Sequence, residues 1–296
     1  MNIDLEKAEK KLIQSIDPKI KSHVIDINNF KIHYNTLGKG NPLILIHGAT
    51  LGWGQWYANI KELSKKFKVI AVDLPGAGKS SRVKFAHHDL EKIFVDTIAA
   101  FVNKMELKKP VVVGHSFGGW VGLKLGQKYP EKIKKVVAIN PVGMTQEIPQ
   151  QFRPLSLSFM ANVLNTLILG RSESKTEKFL KSVQTKPNTK LNTSFIKHFH
   201  HARSIERTDS LFHLISSTLE KGTLKKRYII FPFLKKIRIP TLIIWGLKDV
   251  SMLYPHALEK VNNKKIELHI YPHSGHIPFI EEAKHFNNLL LTFLEE

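Results

Sequence analysis

Short runs of Val, Ile and Leu recur along this chain, separated by longer stretches whose apolar residues fall three or four apart. The runs lie at 42–46, 69–72, 111–113, 136–139, 241–245 and 266–271. Continuous apolar runs of this length suit strands buried on both faces. Helical spacing marks 55–66, 90–105, 120–128, 253–261 and 281–294. Ahead of them, Val24-Ile25-Asp26-Ile27 and Phe30 to Tyr34 flank Asn28-Asn29, a pair that tolerates the positive φ of a hairpin turn. A short amphipathic segment (Ile3, Leu5, Leu12, Ile13, Ile16) opens the chain. The alternation predicts an α/β fold, a mostly parallel eight-stranded sheet with helices on both faces. It breaks between 144 and 236, where helical patches at 155–169, 177–183 and 209–220 have no strands between them. That stretch reads as a helical cap inserted between strands 6 and 7. It divides the core into 1–143 and 237–296.

The richest segment is Val111-Val112-Val113-Gly114-His115-Ser116-Phe117-Gly118-Gly119-Trp120, a buried strand running through Gly-x-Ser-x-Gly into a helix. A sharp strand-to-helix turn lifts a serine hydroxyl out of the sheet, and glycines on either side leave room for the crossing. The helix N-terminus turns backbone N–H groups toward the place where an oxyanion would form. A serine needs a base, and the base needs an orienting acid. Ile243-Ile244-Trp245-Gly246-Leu247-Lys248-Asp249 places an aspartate just beyond one later strand, and Tyr271-Pro272-His273-Ser274-Gly275-His276 places a histidine beyond the next. The reading is Ser116 as nucleophile, His276 as base and Asp249 as the acid.

Leu45-Ile46-His47-Gly48, Asp73-Leu74-Pro75-Gly76-Ala77-Gly78-Lys79-Ser80, the turn at Ser116, Trp245-Gly246-x-x-Asp249 and Gly275-His276 are specific as a set. Together they resemble the α/β-hydrolase fold superfamily, of the cap-bearing type that includes carboxylesterases and carbon–carbon bond hydrolases. The resemblance covers nearly the whole chain except the cap and the N-terminal segment. It implies that the backbone N–H groups of Ala49 and Phe117 form the oxyanion hole, and that no metal or organic cofactor is needed. Serine rather than aspartate at 116 argues against the dehalogenase and epoxide hydrolase branches, which form an ester on a carboxylate. The first expectation is hydrolysis of a small-molecule carboxylic ester through an acyl-enzyme. The alternatives are a carbon–carbon bond hydrolase of a vinylogous diketone acid, or a slow-turnover small-molecule receptor on the same scaffold. The carbon–carbon reaction needs a cation for the substrate carboxylate, for which Arg153, Arg171, Arg203 and Arg207 are available.

Other residues compete for roles. His273 lies three positions before His276, but Glu281 in the following helix matches the family register for His276. His47 and His115 are expected to shape the loops around the site, and Asp73 to brace one of them. Trp53, Trp56, Trp120, Phe159 and Leu164 are either pocket-lining or ordinary core residues. Gly76-Ala77-Gly78-Lys79-Ser80 fails as a phosphate-binding loop, because Asp73 stands where that motif needs glycine. His198, His200 and His201, with His213, lack acidic partners at metal-ligating spacing, which favours a solvated or substrate-facing patch.

Composition adds limits. The 296 residues include no cysteine, which excludes disulfides and thiolate chemistry, and 42% are hydrophobic, enough for a large core. No run reaches the roughly 18 apolar residues of a membrane span. The N-terminus carries charges where a signal peptide needs an apolar stretch, so a cytoplasmic protein is expected. The net charge of +20 comes from lysines spread through nearly every element without a nucleic-acid-binding motif. A specific nucleic-acid partner is not expected. Weak association with an anionic surface is left open, as is the oligomeric state.

Overall fold

A computed structural model describes residues 3–85, 89–157, 159–169, 172–185, 189–203 and 211–296. Eight strands make one sheet: β1 (Lys21–Ile27), β2 (Phe30–Leu37), β3 (Asn41–Ile46), β4 (Phe67–Val72), β5 (Val111–His115), β6 (Lys135–Ile139), β7 (Thr241–Gly246) and β8 (Ile266–Tyr271). Their order is β1-β2-β4-β3-β5-β6-β7-β8. β2 is antiparallel to both β1 and β4, and every other pairing is parallel.

Side chains alternate across the sheet, and both faces are buried. Leu43, Leu45, Val69, Ala71, Val111 and Val113 enter one core, and Ile44, Ile46, Ile70, Val72 and Val112 the other. This is why these strands read as unbroken apolar runs rather than as alternating patterns. The first core takes α1 (Ile3–Ile16) through Leu12 and Ile16, and the C-terminal helix Ala283–Glu295 through Phe286, Leu290 and Phe293. The second takes α2 (Thr97–Lys104) and α3 (Phe117–Lys128) through Phe101, Val102, Val121 and Leu125. The expected layers of helices on both faces are therefore present.

Between β6 and β7 lie α4 (Met160–Leu164), α5 (Glu173–Ser182), α6 (Thr193–Arg203) and α7 (Leu211–Thr218). A two-residue ladder, Leu219–Glu220 against Thr223–Leu224, follows them. The helical patch expected at 209–220 corresponds to α7; its first two residues lie outside the described residues. The final helix, Ala283–Glu295, is α8. Among the described residues no helix is long and apolar enough to cross a membrane.

Two expected helices break. Residues 55–66 hold only the 3₁₀ turn Trp53–Trp56 and the short helix Ile60–Leu63. Asn59 between them sits at φ −120°, and its amide donates to the Phe279 carbonyl (2.9 Å) and the Asn287 side chain (2.8 Å). Those tertiary bonds hold the chain out of the helical geometry. Residues 253–261 hold only the 3₁₀ turn His256–Lys260, because Pro255 biases the residue before it away from the helix. In the other direction, α6 was not apparent from periodicity. His198 and His200 are buried with Phe195, Ile196 and Phe199, so polar residues stand on its inner face and blur the period.

The hairpin turn behaves as its asparagines suggest, with Asn28 at φ +52° and Ile27 opposite Phe30. An L-residue with a branched side chain is penalised there by about 1–2 kcal/mol. We therefore expect Asn28→Gly to leave the urea unfolding midpoint nearly unchanged and Asn28→Val to lower it, with a loss of unfolding free energy in that range. Equal midpoints for the two variants would contradict the strained turn.

Candidate active site

Ser116 sits between β5 and α3 at φ +52°, ψ −113°. A non-glycine residue in such a conformation costs on the order of 1–3 kcal/mol and persists only where its surroundings enforce it. Here its N–H donates to the Ile139 carbonyl (2.8 Å), and its own carbonyl accepts from Trp120 (3.1 Å) and Val142 (3.2 Å). The flanking glycines are required by space. A Cβ on Gly114 would lie 2.1 Å from the Gly118 carbonyl oxygen, and one on Gly118 2.5 Å from the carbonyl oxygens of both Ile46 and His47.

Beyond β7 and β8, the structure brings Asp249 and His276 together, with Asp249 Oδ2 2.6 Å from His276 Nδ1. A carboxylate can only accept, so Nδ1 carries the proton and Nε2 is left with a free lone pair. Asp249 is held from several sides. Oδ1 accepts from the backbone N–H groups of Ser251 (2.7 Å) and Met252 (3.0 Å), and Oδ2 also accepts from Asn140 Nδ2 (2.6 Å). Asn140 follows β6 at φ +42°, and its side-chain oxygen accepts from Gly246 N–H (3.3 Å). It was not singled out from the sequence, where a lone asparagine after a strand carries no signal. The His276 loop is fixed by Glu281, which accepts from Gly275 N–H (3.0 Å) and from Thr185 N–H (3.1 Å). His273, the competing histidine, is exposed.

His47 and His115 are buried beside these groups. His115 Nε2 donates to the His276 carbonyl (2.8 Å), and its ring meets that of His276 edge-on at 4.5 Å. Burial first, and the nearby His276 second, push His115 well below its ordinary value of 6.5. His47 Nδ1 donates to the Gly48 carbonyl (2.7 Å), while Nε2 accepts from Leu74 N–H (2.9 Å). Burial lowers it too, against the opposing pull of Asp73. Both are neutral spacers that tie the loops together. Asp73 braces its loop as expected, accepting from His33 (2.7 Å), Trp53 N–H (2.7 Å) and Lys79 N–H (3.1 Å). Burial alone would raise its carboxyl, but the hydrogen bond and charge of His33 and the Trp53 N–H hold it down at about 2.

Ser116 and His276 open on one cavity of about 150 Å³. Its floor includes Ala49, Phe117 and Phe279, and its roof comes from the insertion, chiefly Phe152, Phe179, Phe195, Leu214 and Ile215. The N–H groups of Ala49 and Phe117 donate to no backbone group among the described residues. No lysine or arginine is among the described residues lining the cavity, and the one carboxylate there is Glu147. Arg153 is exposed, and Arg203 bonds to Thr176 and His200; Arg171 and Arg207 lie outside the described residues. Trp53, Trp56 and Trp120 are wholly packed in the cores and do not line the cavity; nor do Phe159, which is exposed, and Leu164.

The insertion's histidines are spread among separate partners. His200 meets Thr176 (2.9 Å) and His213 meets Asn162 (3.0 Å). His198 is fully buried edge-on against Trp53, with both ring nitrogens unbonded. Among the described residues no group of three His, Cys, Asp or Glu could hold a metal ion.

These buried imidazoles make stability depend on pH. Burial lowers His47, His115 and His198 below 6.5, so the unfolded chain takes up protons that the folded chain refuses. Their stabilising contribution is full above about 6.5 and is lost as the pH falls. Asp73 adds a second loss between its ordinary 3.8 and about 2. The urea midpoint should drop between pH 7.5 and 5.5 (about one unit either side of the histidine value), and His198→Phe should flatten that drop. A wild-type midpoint constant over this range would contradict the assignment.

A family model for the alpha/beta hydrolase fold matches residues 41–283. A 2-hydroxy-6-oxononadienedioate/2-hydroxy-6-oxononatrienedioate hydrolase of Comamonas testosteroni is 28% identical over 288 residues, spanning 90% of this chain and 92% of the relative. Among solved structures, a membrane phospholipase A described as a bacterial virulence factor superposes with a TM-score of 0.77 at 22% identity, covering 98% of this chain and 90% of that one. The carboxylesterase CesB (YbfK) of Bacillus subtilis gives 0.74 at 19% identity, covering 98% and 96%. With the family model matched from β3 to the start of α8, and the strained serine turn and the Asp249–His276 pair at the ends of its strands, the chain belongs to the alpha/beta hydrolase fold family.

Proposed function

We propose that this protein is a serine hydrolase that cleaves a small-molecule carboxylic ester through an acyl-enzyme on Ser116. The observation that carries this reading is the apolar cavity over Ser116 and His276, whose described lining contains no cation. In the proposed reaction His276 Nε2 takes the Ser116 proton as the hydroxyl attacks the ester carbonyl. Asp249 holds the resulting imidazolium, and the Ala49 and Phe117 N–H groups receive the oxyanion. The imidazolium then protonates the departing alcohol. A water deprotonated by His276 releases the acid and restores the serine.

A cavity of about 150 Å³ accommodates a group the size of a benzene ring. The matching acyl or alcohol portion is a compact apolar one of about six carbons. Carbon–carbon bond cleavage is the second reading, favoured by the 28% identity to a hydrolase whose named substrates are dienedioates. A substrate carboxylate would meet Glu147 and no lysine or arginine among the described lining residues, which weighs against it.

The test is turnover of p-nitrophenyl esters of increasing acyl length by wild type and Ser116→Ala. We expect the variant to lose at least about a thousandfold in kcat, and the wild type to peak at short-to-medium chains. Turnover of a dienoate with no Ser116-dependent ester hydrolysis would move the site to the second reading. In the same assay Asn140→Ala should lower kcat about tenfold or more with KM little changed, since Asn140 touches Asp249 rather than the cavity. A loss confined to KM would contradict a positioning role for Asn140.

A further inference from the structure

The stretch from Pro154 to Gly170 contains no charged residue, in a chain where 24% of residues are charged, and it is bounded by Arg153 and Arg171. Its inner side is ordinary core: Leu155 and Ala161 are fully buried, and Leu164 packs against them. Its outer side is apolar as well. Leu157, Phe159, Val163, Leu167 and Ile168 are 39–62% exposed and make up five of the ten large exposed hydrophobic residues described in the whole chain. Isolated exposed leucines are normal on protein surfaces, but five within twelve residues form a patch. The nearby polar side chains already have partners. Asn162 Oδ1 meets His213, and Thr166 donates to the Asn162 carbonyl.

The patch also has a defined place above the cavity. α4 packs on α7, and the Leu214, Ile215 and Thr218 side chains of α7 line the cavity over Ser116. The roof is therefore two layers thick, with α7 facing the cavity and the α4 segment facing outward.

The insertion as a whole is strongly basic. Residues 144–236 hold sixteen Lys and Arg against six Asp and Glu, half of the whole chain's net charge of +20. Lys175 places its ammonium on the Leu167 carbonyl (3.3 Å), at the edge of the patch, and Arg153 is exposed at its other end. The acids of the neighbouring helix are matched, Glu177 by Lys181 (2.7 Å) and Glu173 by Lys197 (4.0 Å). A second copy of the chain would bring the same positive field against itself. An apolar outer surface rimmed by lysine and arginine is complementary to a layer of anionic headgroups over acyl chains.

We propose that this face of the insertion docks on an anionic phospholipid surface. Leu157, Phe159, Val163, Leu167 and Ile168 enter the headgroup–acyl boundary, and Arg153 and Lys175 lie against the headgroups. No described helix is long enough to cross the bilayer, so the protein lies on the surface rather than spanning it. The docking is independent of the ester-hydrolase reading: a bilayer is recognised by the roof, not by Ser116.

The test is flotation of the purified full-length protein with vesicles of phosphatidylcholine alone and of phosphatidylcholine with an equal share of phosphatidylglycerol. We expect retention on the anionic vesicles at least about tenfold above the neutral ones, falling as salt rises from about 0.05 to 0.5 M. The double variant Phe159→Ser/Leu167→Ser should lose about tenfold or more of that retention while keeping the wild-type melting temperature, since both side chains are exposed. Equal retention on both vesicle types overturns the proposal, as does wild-type retention by the double variant. A dimer in sedimentation velocity that the double variant abolishes, with no vesicle retention by the wild type, assigns the face to a second copy and also overturns it. Ser116-dependent turnover of a soluble ester, measured on the same preparations, reports on the ester reading alone.

Discussion

At the C-terminal edge of this sheet, backbone passes so close to backbone that side chains are excluded, and the site depends on that closeness. A methyl group on Gly114 or Gly118 would collide with carbonyl oxygens 2.1–2.5 Å away, and one on Gly246 would meet the Gly275 carbonyl at 2.1 Å. Because β3, β5 and the head of α3 converge there, Ser116 is forced into a positive-φ conformation. Because the loops after β7 and β8 cross closely, Asp249 and His276 come within 2.6 Å. Packing density, rather than any single strong bond, sets these positions.

The edge carries two His–Asp pairs of nearly equal geometry, and their surroundings separate them. Asp73 and His33 are 2.7 Å apart and fully buried, with His33 also meeting Ser22 (2.8 Å) and Glu9 (3.2 Å). Glu9 comes from α1 and also takes Trp53 Nε1–H (3.1 Å) and Lys79 (2.7 Å), so this network ties the N-terminal helix to the core. Both nitrogens of His33 are occupied, and it is not among the residues lining the cavity over Ser116. His276 has one nitrogen on Asp249, and its ring borders the cavity beside Ser116. The same residue pair is enclosed in one place and borders empty space in the other.

The helical insertion joins two surfaces of different character. Its inner face completes the apolar cavity over Ser116 and His276. Its outer face carries exposed apolar residues, and the insertion as a whole holds half of the chain's net positive charge. Within it Leu155 and Ala161 are buried while Leu157, Phe159, Val163, Leu167 and Ile168 are exposed, and α4 packs inward on α7.

Several features are local and were legible in the residues alone. The strands announce themselves because burial on both faces leaves no polar position to interrupt them. The serine turn is legible because its geometry is confined to five residues, and Asp249 and His276 because each closely follows a strand. What depends on distant partners was not legible. Asn140 gains its role only because β6 and β7 are neighbours, and residues 55–66 lose their helix to bonds from Phe279 and Asn287. Trp53, Trp56 and Trp120 could have faced either pocket or core, and packing placed them in the core. The sequence by itself determined the layered sheet and the placing of Ser116, Asp249 and His276 just beyond strand ends, because those follow from periodicity and from turns a few residues long. Tertiary structure alone decided which side chains roof the cavity, which histidines stay neutral and which apolar residues face outward, because each is settled by contacts between segments far apart in the chain.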